Sequence, residues 1–170
     1  MSIFGNAPVQ DVARGRAALE ADLRLHLRGR SLDDLGWAQP DPLTLLVPLF
    51  GTRKDEGKDA YLLRVGFDYY PAWPPSALFV NPMTLGYKLP DDIPWVPATT
   101  DPRNEIAFHT NYAGSHGQVV CCSLTLEFYK VNHSVKEEHA WNSEKQKFLA
   151  TIAAIKRALA QPLYVGRATA

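Results

Sequence analysis

Apolar residues recur at helical spacing early in the chain, where Val12, Leu19, Leu23 and Leu27 lie at multiples of three and four residues within an Ala-, Leu- and Arg-rich stretch beginning at Pro8. That stripe predicts an amphipathic helix ending near Gly29, a residue suited to the left-handed turn that closes helices. Two runs of strand character follow, LTLLVPLF (residues 43–50) and YLLRVGFDY (residues 61–69), separated by the charged, glycine-containing turn TRKDEGKD. A hairpin is the economical reading. Residues 76–80 supply a third short strand. From Asn81 to Phe108 the chain carries Pro82, Pro90, Pro94, Pro97 and Pro102, and the expectation there is no regular structure. A structureless passage of about 25 residues is more often functional than idle. A further strand is expected at VVCCSLTL (residues 119–126).

The last third returns to helical periodicity. SEKQ (residues 143–146) fits a Ser-x-x-Gln capping box, and Phe148, Leu149, Ile152, Ile155 and Leu159 then form one apolar stripe stopped by Pro162. Helix, antiparallel strands, a proline-rich passage, a strand and a helix make an α+β pattern. With 170 residues, 46% of them hydrophobic, the expectation is a single domain over residues 1–170. Eighteen Lys and Arg balance eighteen Asp and Glu, so no global field draws the chain to nucleic acid or to an anionic membrane. The N-terminal stretch has no signal-peptide apolar run, and no run of about eighteen apolar residues is present. With no disulfide framework either, the expected location is cytoplasmic.

Candidate chemistry concentrates in HTNYAGSHGQVVCC (residues 109–122), which holds two of the five histidines and both cysteines. A zinc site is disfavoured because adjacent cysteines on a strand point to opposite faces and lack ligand spacing. A disulfide between Cys121 and Cys122 would be strained, since neighbouring Cα atoms lie about 3.8 Å apart, below the usual range of about 4.4 to 6.8 Å. A strand that buries one face sends one thiol inward as a small hydrophobe and leaves the other toward solvent or a groove. His133 and His139 are possible partners for a reactive thiol, but no local signature marks a cysteine protease.

In YYPAWPPSALFV (residues 69–80), Pro71, Pro74 and Pro75 stop the strand and stiffen a corner on which Tyr70 and Trp73 can pack. Tyr-Pro-x-x-Pro-Pro before a short apolar strand resembles the hallmark of ubiquitin-conjugating enzymes. That family continues with His-Pro-Asn, a glycine, and an apolar residue before the active cysteine; here stand His109, Thr110, Asn111, Gly117, Val120 and Cys121, followed by Ser123 and Leu124. Trp141-Asn142 before the last helix resembles the family's tryptophan motif. The likeness runs in order from about Val9 to Leu159 and is closest to the compact bacterial relatives found beside ubiquitin-like proteins and adenylating enzymes. Thr110 replaces the family's proline, and Cys121 follows Asn111 by ten positions, a little more than usual. Cys122 is therefore kept as the alternative nucleophile.

The resemblance implies a UBC-like fold: an N-terminal helix, an antiparallel meander, a long proline-rich active-site segment and a C-terminal helix. It also implies an activity without cofactor or metal. An activating (adenylating) enzyme passes the acyl terminus of a ubiquitin-like modifier to Cys121 as a thioester, and an amine of a protein target receives it. A cysteine near its free pKa of about 8.5 needs no dedicated base for thiol exchange. Asn111 would donate to the oxyanion of amine attack or brace the loop that does; His109 would be a structural histidine of that turn. Arg14 and Arg16, with Arg24 and Arg28, would dock the activating enzyme, although a solvated basic face explains them equally well. Two other readings remain: a non-catalytic UBC-like binding or scaffold module, kept open by Thr110 and the shifted spacing, and a cysteine hydrolase acting on an acyl or isopeptide bond.

Overall fold

The computed structural model describes residues 9–100, 106–131 and 133–169; Pro8 and Pro102 lie outside them. Helix α1 (Val12–Leu27) begins where the Asp11 carboxylate accepts the Arg14 N–H at 3.0 Å, satisfying one of the amides a first turn leaves open. It ends as Arg28 and Gly29 turn left-handed. Its buried stripe is Gly15, Leu19, Asp22 and Leu23. At Gly15 any Cβ would stand 2.3 Å from the Phe67 carbonyl oxygen, so glycine is what lets the helix lie this close to the chain leaving the sheet.

The sheet is an antiparallel meander in the order β1 (Ala38–Asp41), β2 (Thr44–Thr52), β3 (Lys58–Gly66) and β4 (Ser76–Val80). Strands β2 and β3 pair from Thr44 opposite Gly66 to Thr52 opposite Lys58. Their charged turn is closed by Arg53 N–H to the Gly57 carbonyl and by Arg53 ion pairs to Asp55 and Asp59. Alternation sends Leu45, Val47 and Leu49, with Tyr61, Leu63 and Val65, into one core together with Leu19 and Leu23 of α1 and Phe148, Ile152 and Ile155 of the last helix. The fold is thus α+β with helices over an antiparallel sheet. None of the described helices is long and apolar enough to cross a membrane.

The proline-rich passage is more ordered than its composition suggests. Pro90–Trp95 forms a 3-10 turn and Pro97–Thr99 a strand, β5. Pro90 and Pro97 occupy places where a missing N–H costs little, the first position of a helical turn and the start of a two-stranded ladder, while Pro94 lies inside the turn. Asp92 organises the approach by accepting the Lys88 and Leu89 amides and the Asn81 side-chain amide. Two more short strands, β6 (Ala107–His109) and β7 (Val119–Cys121), form a separate hairpin.

Two further expectations are corrected. The cysteine strand stops at Cys121 instead of running through VVCCSLTL, because the Thr125 hydroxyl donates to the Val120 and Cys122 carbonyls and turns the chain into α2 (Leu126–Lys130). The SEKQ box does not start the last helix, α3 (Phe148–Ala158), whose flanking residue Lys147 makes no side-chain cap. Asn142 takes over the capping logic one residue earlier: its Oδ1 accepts the Glu144 and Lys145 amides, while Gln146 Oε1 accepts the Asn142 N–H. These contacts close a separate turn before α3. Strands β1 and β8 (Tyr164–Arg167) have no clear sequence signal. Strand β8 pairs with β5 and is tied to the main sheet by the Tyr164 hydroxyl, which donates to Asp59 at 2.7 Å and meets that of Tyr61.

Candidate active site

The platform is built first. Tyr70 is buried, donates its hydroxyl to the Asp22 carboxylate of α1, and accepts the Phe148 N–H of α3 at 3.2 Å. Burial, then the Asp22 carboxylate, pushes the Tyr70 phenol upward, so it stays a donor. The Trp141 indole donates to the Pro71 carbonyl at 2.8 Å, and Trp73 packs edge-on against Tyr129. Pro74 and Pro75 are buried, and the Pro75 carbonyl accepts the Leu126 N–H that begins α2. Glu127 completes the joint: its carboxylate accepts the Ser76 hydroxyl and the Ala77 N–H of β4. Its pKa is raised by burial.

The hairpin sits beside β4. Gln118 clasps Phe79, accepting its N–H at 2.6 Å and donating to its carbonyl at 2.8 Å, while Phe108 meets the Phe79 ring edge-on. A side-chain amide thereby stands in for a strand neighbour at the β4 edge. In the hairpin ladder Ala107 faces Cys121 and His109 faces Val119, so His109 and Cys121 project to the same side and Phe108 and Val120 to the other.

The adjacent thiols are separated by that geometry. Cys122 is buried against Ile106, Ala154 and Ala158, and burial pushes its thiol up to about 11. Cys121 is half-buried, its thiol also raised by burial, and His133 Nε2 lies 3.5 Å from its Sγ. His133 follows the end of α2, where its backbone N–H reaches the Phe128 carbonyl at 3.4 Å. Its ring stacks on Phe128, with centroids 4.8 Å apart and planes at 20°, and meets Tyr112 edge-on at 5.3 Å. Tyr112 in turn contacts His109 and His116. The His109 imidazole is held below its ordinary range by burial and, secondarily, by the charge of His133.

Of the residues marked in the sequence, Cys121 and His109 therefore share one face of the hairpin. Asn111 lies elsewhere, at the tip: its Oδ1 accepts the Gly117 N–H at 3.1 Å and its carbonyl the Gly114 N–H. It closes the loop, and the register places Cys121 across from Ala107, well down the hairpin from that tip. The tip also lines an open groove with Leu89, Ile93 and Val96. On α1, Arg14 is exposed and Arg16 pairs with Glu20 at 2.8 Å. His139 is exposed in a 3-10 turn at Glu137–His139. Among the described residues no group of three or more His, Cys, Asp or Glu side chains could hold a metal ion.

Of the two histidines considered as thiol partners, His133 reaches Cys121 and His139 stands exposed in its own turn; Tyr112, Phe128, Gln118 and Glu127 were not singled out by sequence reasoning. Nothing in local spacing joins His133 to Cys121, because the helical turn between them folds one back over the other. No protein-family model, curated protein or solved structure matches this chain.

Proposed function

We propose that this protein is a conjugating enzyme of the ubiquitin type, with a UBC-like fold. It accepts the acyl terminus of a ubiquitin-like modifier on Cys121 as a thioester, from an adenylating enzyme, and transfers it to an amine of a protein target in the cytoplasm. The observation that carries this reading is the placement of Cys121. Its thiol stands half-buried at the end of β7, a short turn before α2, whose first N–H donates to the Pro75 carbonyl of the Tyr70–Pro75 corner, the motif the family shares.

The order of elements supports the reading: an N-terminal helix, a four-stranded antiparallel meander, the proline corner held by Trp141, the cysteine hairpin and a late helix. Asn111 serves by holding the shape of the loop above the site. Burial raises the Cys121 thiol, so exchange with a bound thioester proceeds through its thiolate fraction, which grows as pH rises. Arg14 on the exposed side of α1 offers a positive contact to the adenylating enzyme.

The test is incubation with modifier, adenylating enzyme and ATP, followed by intact-protein mass spectrometry. A reductant-sensitive adduct is expected on the parent and on Cys122→Ser, and none on Cys121→Ala. An adduct lost only in Cys122→Ser would move the nucleophile to Cys122. A second reading, a cysteine hydrolase, is favoured by one contact, that between Cys121 and His133. It differs in outcome: a hydrolase releases the acyl group to water as fast as to added amine.

A further inference from the structure

Exchange between thiols needs no dedicated base, yet an imidazole faces the Cys121 thiol at 3.5 Å. The ring is not loosely placed. Phe128 stacks on one side, Tyr112 closes another, and the backbone turn after α2 fixes its Cα. In the free protein Cys121, held protonated by burial, can donate its S–H to Nε2. Once an acyl group sits on the sulfur that donor is gone, and Nε2 is left aimed at the reacting centre without its partner.

We infer that His133 is the catalytic proton acceptor for amine transfer at this site, a role that rests on the conjugating-enzyme reading. The lone pair of the attacking amine forms a C–N bond to the thioester carbonyl carbon. The tetrahedral intermediate collapses with cleavage of the C–S bond, and the electron pair leaves on Cys121 Sγ. The surplus proton on nitrogen passes to His133 Nε2 and from there to the departing thiolate. Neutral imidazole and free thiol are restored, and no further reactant is consumed.

The groups facing His133 come from several elements. Cys121 comes from β7, Tyr112 from the hairpin tip and His109 from β6, whereas α2 contributes the uncharged Phe128. Burial and, secondarily, the charge of His133 hold the His109 imidazole below its ordinary range, which favours the neutral form of His109.

The probe is a glycine-terminated peptide α-thioester, used to charge Cys121 chemically, with free lysine as acceptor in single-turnover discharge. The parent's rate should rise with pH through the range where imidazoles titrate. His133→Gln should discharge about 10²-fold more slowly, and that inflection should vanish. His133→Ala should regain rate when imidazole is added. A parent that takes no acyl group on Cys121 overturns the conjugating-enzyme reading and this role with it. A charged His133→Gln variant with the parent's rate and pH profile overturns only the role of His133. So does a slowed variant that keeps the parent's pH profile and ignores imidazole, since that behaviour assigns the ring to packing.

Discussion

Trp141 donates its indole N–H to the Pro71 carbonyl, 2.8 Å away and 70 positions earlier in the chain. The bond joins the proline corner to the segment entering α3, and Tyr70, next to that corner, joins α1 to α3 through Asp22 and the Phe148 amide. The motif residues therefore act as a lock between helices and sheet. The cysteine hairpin is mounted on the same lock through α2 and β4.

Removing the phenol tests the lock. Tyr70→Phe keeps the ring but strips Asp22, a buried carboxylate, of its donor and the Phe148 N–H of its acceptor. A loss of about 2 to 3 kcal/mol of stability is expected. Urea unfolding at pH 7 measures it, and a midpoint unchanged from the parent would show the hydrogen bonds to be replaceable by water.

Glu127 carries a pH signature. Its folded-state pKa is raised by burial, so its favourable contribution is fully present below the pKa of the unfolded chain and is lost as pH rises through the folded value. Glu127→Gln keeps an acceptor for Ala77 and a polar partner for Ser76. Relative to the parent it should therefore gain stability between pH 5 and pH 8. Glu127→Ala should lose about 2 kcal/mol at either pH, because the Ser76 and Ala77 donors are left bare. Urea midpoints at the two pH values check both signs.

The thiols should differ in alkylation. Iodoacetamide at pH 8 is expected to label Cys121 while sparing Cys122, and the Cys121 rate should keep climbing above pH 9 because burial raises both thiols. Peptide mapping by mass spectrometry reads the site. Equal labelling of both residues would mean that the end of β7 opens readily in solution.

The arginines on α1 make a docking test. Arg14→Glu combined with Arg16→Glu should slow charging of Cys121 by the adenylating enzyme, most of all at low salt, and leave discharge of a pre-formed thioester unchanged. Arg16 already pairs with Glu20, so Arg14→Glu alone should produce most of the effect. Charging rates at two ionic strengths decide the matter; a double variant as fast as the parent at low salt leaves these arginines a solvated face.

Local pattern was enough for α1, the β2–β3 hairpin, β4 and the apolar stripe of α3, since each rests on periodicity or turn chemistry within a few residues. It was enough also to separate Cys121 from Cys122, because strand alternation alone sends neighbours to opposite faces. Strand β1 escaped because it is short, fully exposed and contains Pro40, although it pairs with the adjoining β2, and β8 because it is short and exists by pairing with the distant β5. The prolines misled in residues 90–99, where their ring geometry suits a 3-10 turn and a strand start as well as a loop.

What the sequence determined by itself was therefore the α+β order, the stiff corner at Tyr70–Pro75, and one of two adjacent thiols turned out of the core. Which group faces that thiol was decided only by tertiary structure. Asn111, near it in motif, ends at the far tip because hairpin register sets distance along the ladder, and its side chain is spent closing the loop on Gly117. His133, one of two histidines the sequence offered without choosing between them, arrives because the hydroxyl of Thr125 ends the strand, Glu127 pins α2 to β4, and the turn after α2 folds back over β7. Burial, register and long-range hydrogen bonds set such a meeting of side chains, and none of these can be read from residues considered with only their neighbours.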